Sequence, residues 1–87
     1  MDLMLFSLRD EKMKSFGAPF ASRQFGEAER HIHSLVNDPK TQISAFPADF
    51  TLYHVGTLND DTGTIVPQNP PNLVCRALDL KRQEPTQ

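Results

Sequence analysis

Three groups of side chains in this sequence are of types that do chemistry. The first is Asn59-Asp60-Asp61-Thr62-Gly63, where oxygen-bearing side chains crowd beside a glycine. A calcium loop of the EF-hand kind needs oxygen ligands at alternate positions and a glutamate at the twelfth. Counted from Asn59, Asp60 or Asp61, the twelfth position is Pro70, Pro71 or Asn72, and none is an acid. A catalytic carboxylate pair needs two acids that face one point. Asp60 and Asp61 are adjacent, and adjacent side chains on extended chain point apart. The segment lies between two strand patterns and reads as a hairpin connection. In such a turn Asn and Asp bond their own backbone, and Gly63 supplies the positive φ.

The second group is the histidines and the single cysteine. His31 and His33 are two residues apart on a helical pattern, so they lie on nearly opposite sides and cannot share one ion. Each follows an acid by four residues, Glu27 and Glu29, which reads as surface pairing along the helix. His54 shares a strand face with Leu52, and no serine or cysteine nucleophile can be placed beside it. It reads as a packed or edge histidine. Cys75 sits among apolar residues as core filler. Being the only cysteine, it excludes a disulfide within the chain, and it suits a reducing compartment. Without a CxxC or a Cys/His cluster there is no structural zinc motif. Gly17 and Gly26 are too isolated to cradle phosphate. No catalytic residue, metal ligand or cofactor is assigned, and no constellation supports an enzyme.

The third group runs from Lys12 to Gly26. It holds Lys12, Lys14 and Arg23 with no acid, interleaved with Phe16, Phe20 and Phe25. Cations hold phosphates, and aromatic rings stack on unpaired bases, so single-stranded nucleic acid suits the stretch. The competing reading makes the three phenylalanines core, with solvated cations around them.

The chain that must position these groups has 87 residues, which bounds it to one small domain, residues 1–80, with a polar tail at 81–87 expected to be flexible. A chain this short sits near the lower size limit for folding alone. Its net charge of −2 argues against a generic nucleic-acid coat, but the charge is polarised. From Ala45 to Leu80 one cation, Arg76, faces Asp49, Asp60, Asp61 and Asp79. The apolar N-terminal run carries Asp2 where a signal peptide has a basic region, so it reads as a strand. No apolar stretch approaches membrane-spanning length. These features predict a soluble, intracellular protein.

Leu3–Leu8 is nearly all apolar, as in a strand covered on both faces. Residues 12–20 read as a loop and 21–25 as a short strand. Gly26 reads as an N-cap, with Glu27 and Glu29 in the first helical turn. Ala28, Ile32, Leu35 and Val36 form one buried stripe, and Asn37-Asp38-Pro39 stops the helix. Residues 40–49 read as a connection anchored by Phe46. Alternation resumes over 50–58. A return strand over 64–66 ends at Pro67, and 73–80 reads as a strand with a helix as the alternative.

Several of these pieces also carry a resemblance. Phe25-x-x-Ala28 opens the helix that ends in Asn37-Asp38-Pro39. Then follow Phe46-Pro47-x-Asp49-Phe50-x-Leu52-Tyr53-x-x-Gly56 and Asp60-Asp61-Thr62-Gly63. In order and spacing this resembles the small non-structural protein of gokushovirus-type microviruses, often labelled DNA-binding, over residues 3 to 80 or so. The resemblance implies a protein of a single-stranded DNA phage, made in the host bacterial cytoplasm and absent from the mature virion. It also implies a role in genome replication, in the switch from double-stranded to single-stranded synthesis. It carries over no catalytic residues.

The expected fold is α+β. One helix, 27–37, packs on a mainly antiparallel sheet of about four strands (2–9, 50–58, 64–66 and 73–80), and a homodimer covers the second face. The expected function is single-stranded DNA binding without catalysis. Lys12, Lys14, Arg23 and Arg30 would contact phosphates, and Phe16 or Phe20 would stack. The alternative is an assembly factor that meets a host replication protein or a capsid precursor through the acidic hairpin.

Overall fold

The nearly all-apolar run Leu3–Leu8 and the alternating segment after Phe50 form two long strands side by side. The computed structural model describes residues 1–81. Strand β1 (Asp2–Asp10) pairs antiparallel with β4 (Phe50–Asn59), which pairs in turn with β5 (Ile65–Arg76). The other edge of β1 carries two short strands in succession, β2 (Ser15–Phe16) and β3 (Phe20–Ser22). Helix α1 (Phe25–Val36) packs on one face of this antiparallel sheet, and the fold is α+β as expected. Phe6, Ala28, Ile32, Val36, Ile43, Leu52 and Ala77 form the core. Burying side chains of the size of Ile32, Val36 and Leu52 stabilises a fold by about 1.5–3 kcal/mol each.

The helical stripe is as read: Ala28, Ile32 and Val36 are buried and Leu35 is half-buried. Gly26 is not the N-cap. The helix starts two residues earlier, capped by Gln24 in extended geometry with no side-chain cap bond. The cause is tertiary, because the Phe25 ring stands edge-on to Phe6 at 5.4 Å and fixes that residue against the body. The predicted strand over 21–25 is correspondingly shorter and shifted, at Phe20–Ser22. Part of the 12–20 loop, Ser15–Phe16, is strand. Asn37 caps the C-terminus as read and donates its side-chain amide to His33 O at 2.8 Å and Leu80 O at 3.1 Å.

The 40–49 connection holds a short helix α2 (Gln42–Ala45) and a 3-10 turn (Pro47–Asp49). Thr41 caps α2 by accepting from Ser44 N at 3.2 Å. This turn of helix buries Ile43 and leaves Phe46 60% exposed, so Ile43 is the anchor and Phe46 is not.

The strands predicted at 64–66 and 73–80 are the two ends of one interrupted strand. Pairing passes through Pro67, opposite Gly56, lapses over residues 68–71, and resumes at Asn72 opposite His54. A proline is tolerated here because β5 is an edge strand, where a missing N–H need not break a ladder. Residues 77–80, expected as strand with helix as the alternative, form the helical turn α3 (Ala77–Leu80), with Ala77 fully buried. Of the predicted tail, residues 82–87 lie outside the described residues. Lys81 is pinned: its Nζ donates to Val36 O (3.1 Å), Ser44 O (3.2 Å) and Ser44 Oγ (2.7 Å).

Candidate functional site

The basic and aromatic stretch forms an arm along the edge of β1. Asp10 ends the strand and folds the chain back, its Oδ1 accepting from Lys12 N at 3.0 Å and Met13 N at 3.1 Å. Glu11 N donates to Asp49 O at 2.7 Å and holds this turn against the 3-10 turn. Lys14 sits at φ 55°, in the left-handed region. That region costs a residue bearing a Cβ about 1–2 kcal/mol. Phe16 then pairs with Arg9, and Phe20 with Phe6. The arm takes one residue more than β1 between these pairings, which makes a bulge. The bulge is clamped by Gly17 N donating to Leu8 O (2.9 Å) and Ser7 Oγ donating to Gly17 O (2.8 Å).

This register sets the layout of the site. Lys12 and Lys14 stand at one end of the arm, beyond the Asp10–Ser15 pairing. Arg23 follows Ser22, which pairs with Met4, and so stands at the other end. The two ends are about 20 Å apart at ordinary strand rise. Phe16 and Phe20 lie between them and differ in exposure. Phe16 is 42% exposed, lies under the Arg9 guanidinium (5.2 Å to the ring centroid), and stands edge-on to Tyr53 at 5.4 Å. Arg9 is held there by Glu11 at 2.7 Å. Phe20 is half-buried, stacked on Phe6 at 5.9 Å and met edge-on by His31 at 5.0 Å. Arg30 lies apart, on the flank of α1 that also carries Gly26, Glu29 and His33 and faces Leu80.

Between the arm and α1 is a cavity of about 370 Å³. Phe16, Phe20, Leu35 and Phe50 are among its walls, and Asp10 and His31 also line it. The sequence reading missed Arg9, Tyr53, Phe50 and His31 as neighbours of the arm. Arg9 and Tyr53 share a face only because of the bulged β1–β4 register, which no local pattern encodes. His31 does not pair with Glu27. Among the described residues the ion pairs are Met1–Asp60, Met1–Asp61, Arg9–Glu11 and Arg76–Asp79. Neither His31 nor His33 joins one.

The other candidates resolve as follows. Residues 59–63 form a hairpin turn as read, with Asn59 Oδ1 accepting from Asp61 N (2.9 Å) and Thr62 N (3.2 Å). Gly63 at φ 76° donates its N–H to Asn59 O at 2.8 Å. Asp60 bonds the Met1 amine at 2.9 Å, and this hydrogen bond and charge raise the amine's pKa. His54 is packed, at 8% exposure, between Phe6 (5.5 Å) and Phe25 (5.4 Å), and neither ring nitrogen has a hydrogen-bond partner among the described residues. Cys75 is half-buried against the core, and desolvation, with the charges of Glu29 and Asp79, pushes its thiol up to about 11. Among the described residues no group of three or more His, Cys, Asp or Glu is placed to hold a metal ion. No helix of the described residues is long and apolar enough to cross a membrane.

Comparison with protein families matches residues 3–80 to the family described as Phage ORF5 protein. The chain belongs to that family, and it is a bacteriophage protein. Neither the curated proteins nor the solved structures yield a match.

Proposed function

We propose that this member of the Phage ORF5 family binds single-stranded DNA along its β2–β3 arm, as a non-enzymatic accessory of genome replication. Its setting in this reading is a gokushovirus-type microvirus, in the host bacterial cytoplasm and outside the mature virion. One observation carries the reading: cations at both ends of an arm whose middle presents an open phenylalanine. Lys12 and Lys14 hold phosphates at one end of the arm and Arg23 holds a more distant one at the other, while Phe16, backed by Tyr53 and Arg9, offers a stacking surface between them. Phe20 is a wall beside that path. Arg30, on the far flank of α1, adds only general attraction. Lys14 supports the reading further. A lysine kept in the left-handed region gives up stability that glycine would recover, as residues at functional sites do.

The test is binding to labelled single-stranded and double-stranded DNA across a salt series. Phosphate contact predicts a slope of log K against log[salt] near −0.7 per contact for single strands. Lys12→Glu with Lys14→Glu lowers affinity and flattens that slope; unchanged binding in the double variant overturns the assignment.

A second reading, protein contact, is favoured by a different observation. Strand β5 is an edge, and from Ile65 to Cys75 it carries no charged residue. Ile65, Val66 and Leu73 are 59%, 60% and 59% exposed. Natural edges are normally guarded by charge. A second copy of the chain, meeting this strand across a two-fold axis, covers it with no like charges opposed. Sedimentation of wild type and Val66→Lys tests the homodimer: wild type runs as a dimer and the variant as a monomer. A monomeric wild type turns the edge toward a host replication protein or capsid precursor.

A further inference from the structure

The cavity between the arm and α1 lies beside the path proposed for the DNA backbone. We infer that it is a pocket for one unstacked nucleobase, an inference that rests on the DNA-binding reading and deepens it. Its volume of about 370 Å³ is at the small end of the range for ligand sites, roughly 300–1,000 Å³, and suits a single flat ring system. Phe16, Phe20 and Phe50 contribute aromatic walls, and Leu35 closes the side toward α1. Flat apolar walls match the face of a base, and every base has such a face.

The polar groups decide between a base and an aliphatic side chain of a protein partner. Asp10, Ser15 and His31 contribute to the lining, beside Gly17 and Ala18. Asp10 Oδ1 and the Gly17 main chain are already bonded within the protein, so the groups an aliphatic occupant would strip of water without replacement are Ser15 Oγ and the His31 ring, a cost of about 1–3 kcal/mol for each one buried. A base carries donors and acceptors around its edge and satisfies them. Charge points the same way. Lys12 and Lys14 stand on the turn between Asp10 and Ser15, beside the cavity, where the phosphate of an inserted nucleotide must lie. His31, which makes no ion pair with Glu27, therefore reads the edge of a base.

The probes are two decanucleotide-length strands: a base-free sugar–phosphate strand, and the same strand with one thymine restored. Aromatic stacking of a base is worth about 1–3 kcal/mol, so one base in the pocket raises affinity on the order of tenfold. Ala18→Trp fills the cavity from the exposed arm without removing a cation. His31→Ala, on the exposed side of α1, trims the edge-reading group and gives a second variant if the tryptophan disturbs the arm. Both variants bind the base-free strand like wild type and lose most of the gain from the single base. An equal gain in wild type and both variants overturns the pocket and leaves DNA binding standing. If neither strand binds wild type at low salt, the DNA reading fails and the pocket with it.

Discussion

Lys14→Gly separates fold from function at one residue. Lys14 occupies φ 55° in the turn that Asp10 organises. Relief of the left-handed geometry is worth about 1–2 kcal/mol. Glycine's extra freedom in the unfolded chain offsets about 0.5–1 kcal/mol. The balance is zero to somewhat over 1 kcal/mol in favour of the variant. For a domain of this size 1 kcal/mol moves Tm by about 4–8 °C. The same substitution removes one phosphate contact, so the single-strand salt slope shrinks by about 0.7. Thermal melting and fluorescence anisotropy across the salt series read the two effects separately. The expected variant melts no lower than wild type and binds DNA more weakly, with a flatter slope. A slope equal to wild type would falsify Lys14 as a phosphate ligand. A Tm several degrees lower would refute the conformational argument, since it would mean the lysine side chain stabilises the turn.

Five further substitutions test the packing. A Cβ at Gly56 would lie 2.9 Å from Val66 O, so Gly56→Ala destabilises by about 1–3 kcal/mol, while Gly26→Ala, with open space around it, stabilises by about 0.5–1 kcal/mol. Urea unfolding reads both, and equal effects would disprove the close approach of β4 and β5. His54→Leu replaces a buried ring whose two nitrogens lack partners, and it raises stability by about 1–3 kcal/mol in calorimetry; a loss of stability would show that the imidazole is satisfied in solution. Lys81→Met removes charge-assisted bonds to the end of α1 and to Ser44, and it lowers stability by about 1.5–3 kcal/mol in urea unfolding; no change would mean water replaces the ammonium. Cys75, with its thiol at about 11 against an ordinary 9.0, stays protonated in the fold while the unfolded chain ionises. Stability from this group is full below pH 9 and is lost as pH rises toward 11, and Cys75→Ala flattens that alkaline slope. An unaltered slope in the alanine variant would assign the loss to other groups.

The elements that were legible in the sequence are those whose information is local. The α1 stripe of Ala28, Ile32 and Val36 follows from helical periodicity, and its stop from Pro39. The 59–63 turn follows from side chains that bond their own backbone, the strand read over 2–9 from its nearly all-apolar run, and the strand read over 50–58 from alternation. The misreadings share one cause, a distant contact that outweighs a local preference. Phe25 docks on Phe6 and draws the helix start back past Gly26. The edge position of β5 lets pairing run through Pro67, which in a central strand would end it. Ile43 reaches the core and leaves Phe46 outside.

The candidate site divides the same way. Sequence alone determined its chemical character, because cations and rings without acids are a matter of composition over a short stretch. Tertiary structure alone decided which of them act together. Pairing of the arm with β1 puts Lys12, Lys14 and Arg23 on one edge and spreads them along it. The turn of α1 carries Arg30 away on one flank and brings His31 to Phe20 on the other. Side-chain type is a property of a residue, whereas proximity across a sheet depends on register, which is set by contacts far apart in the chain.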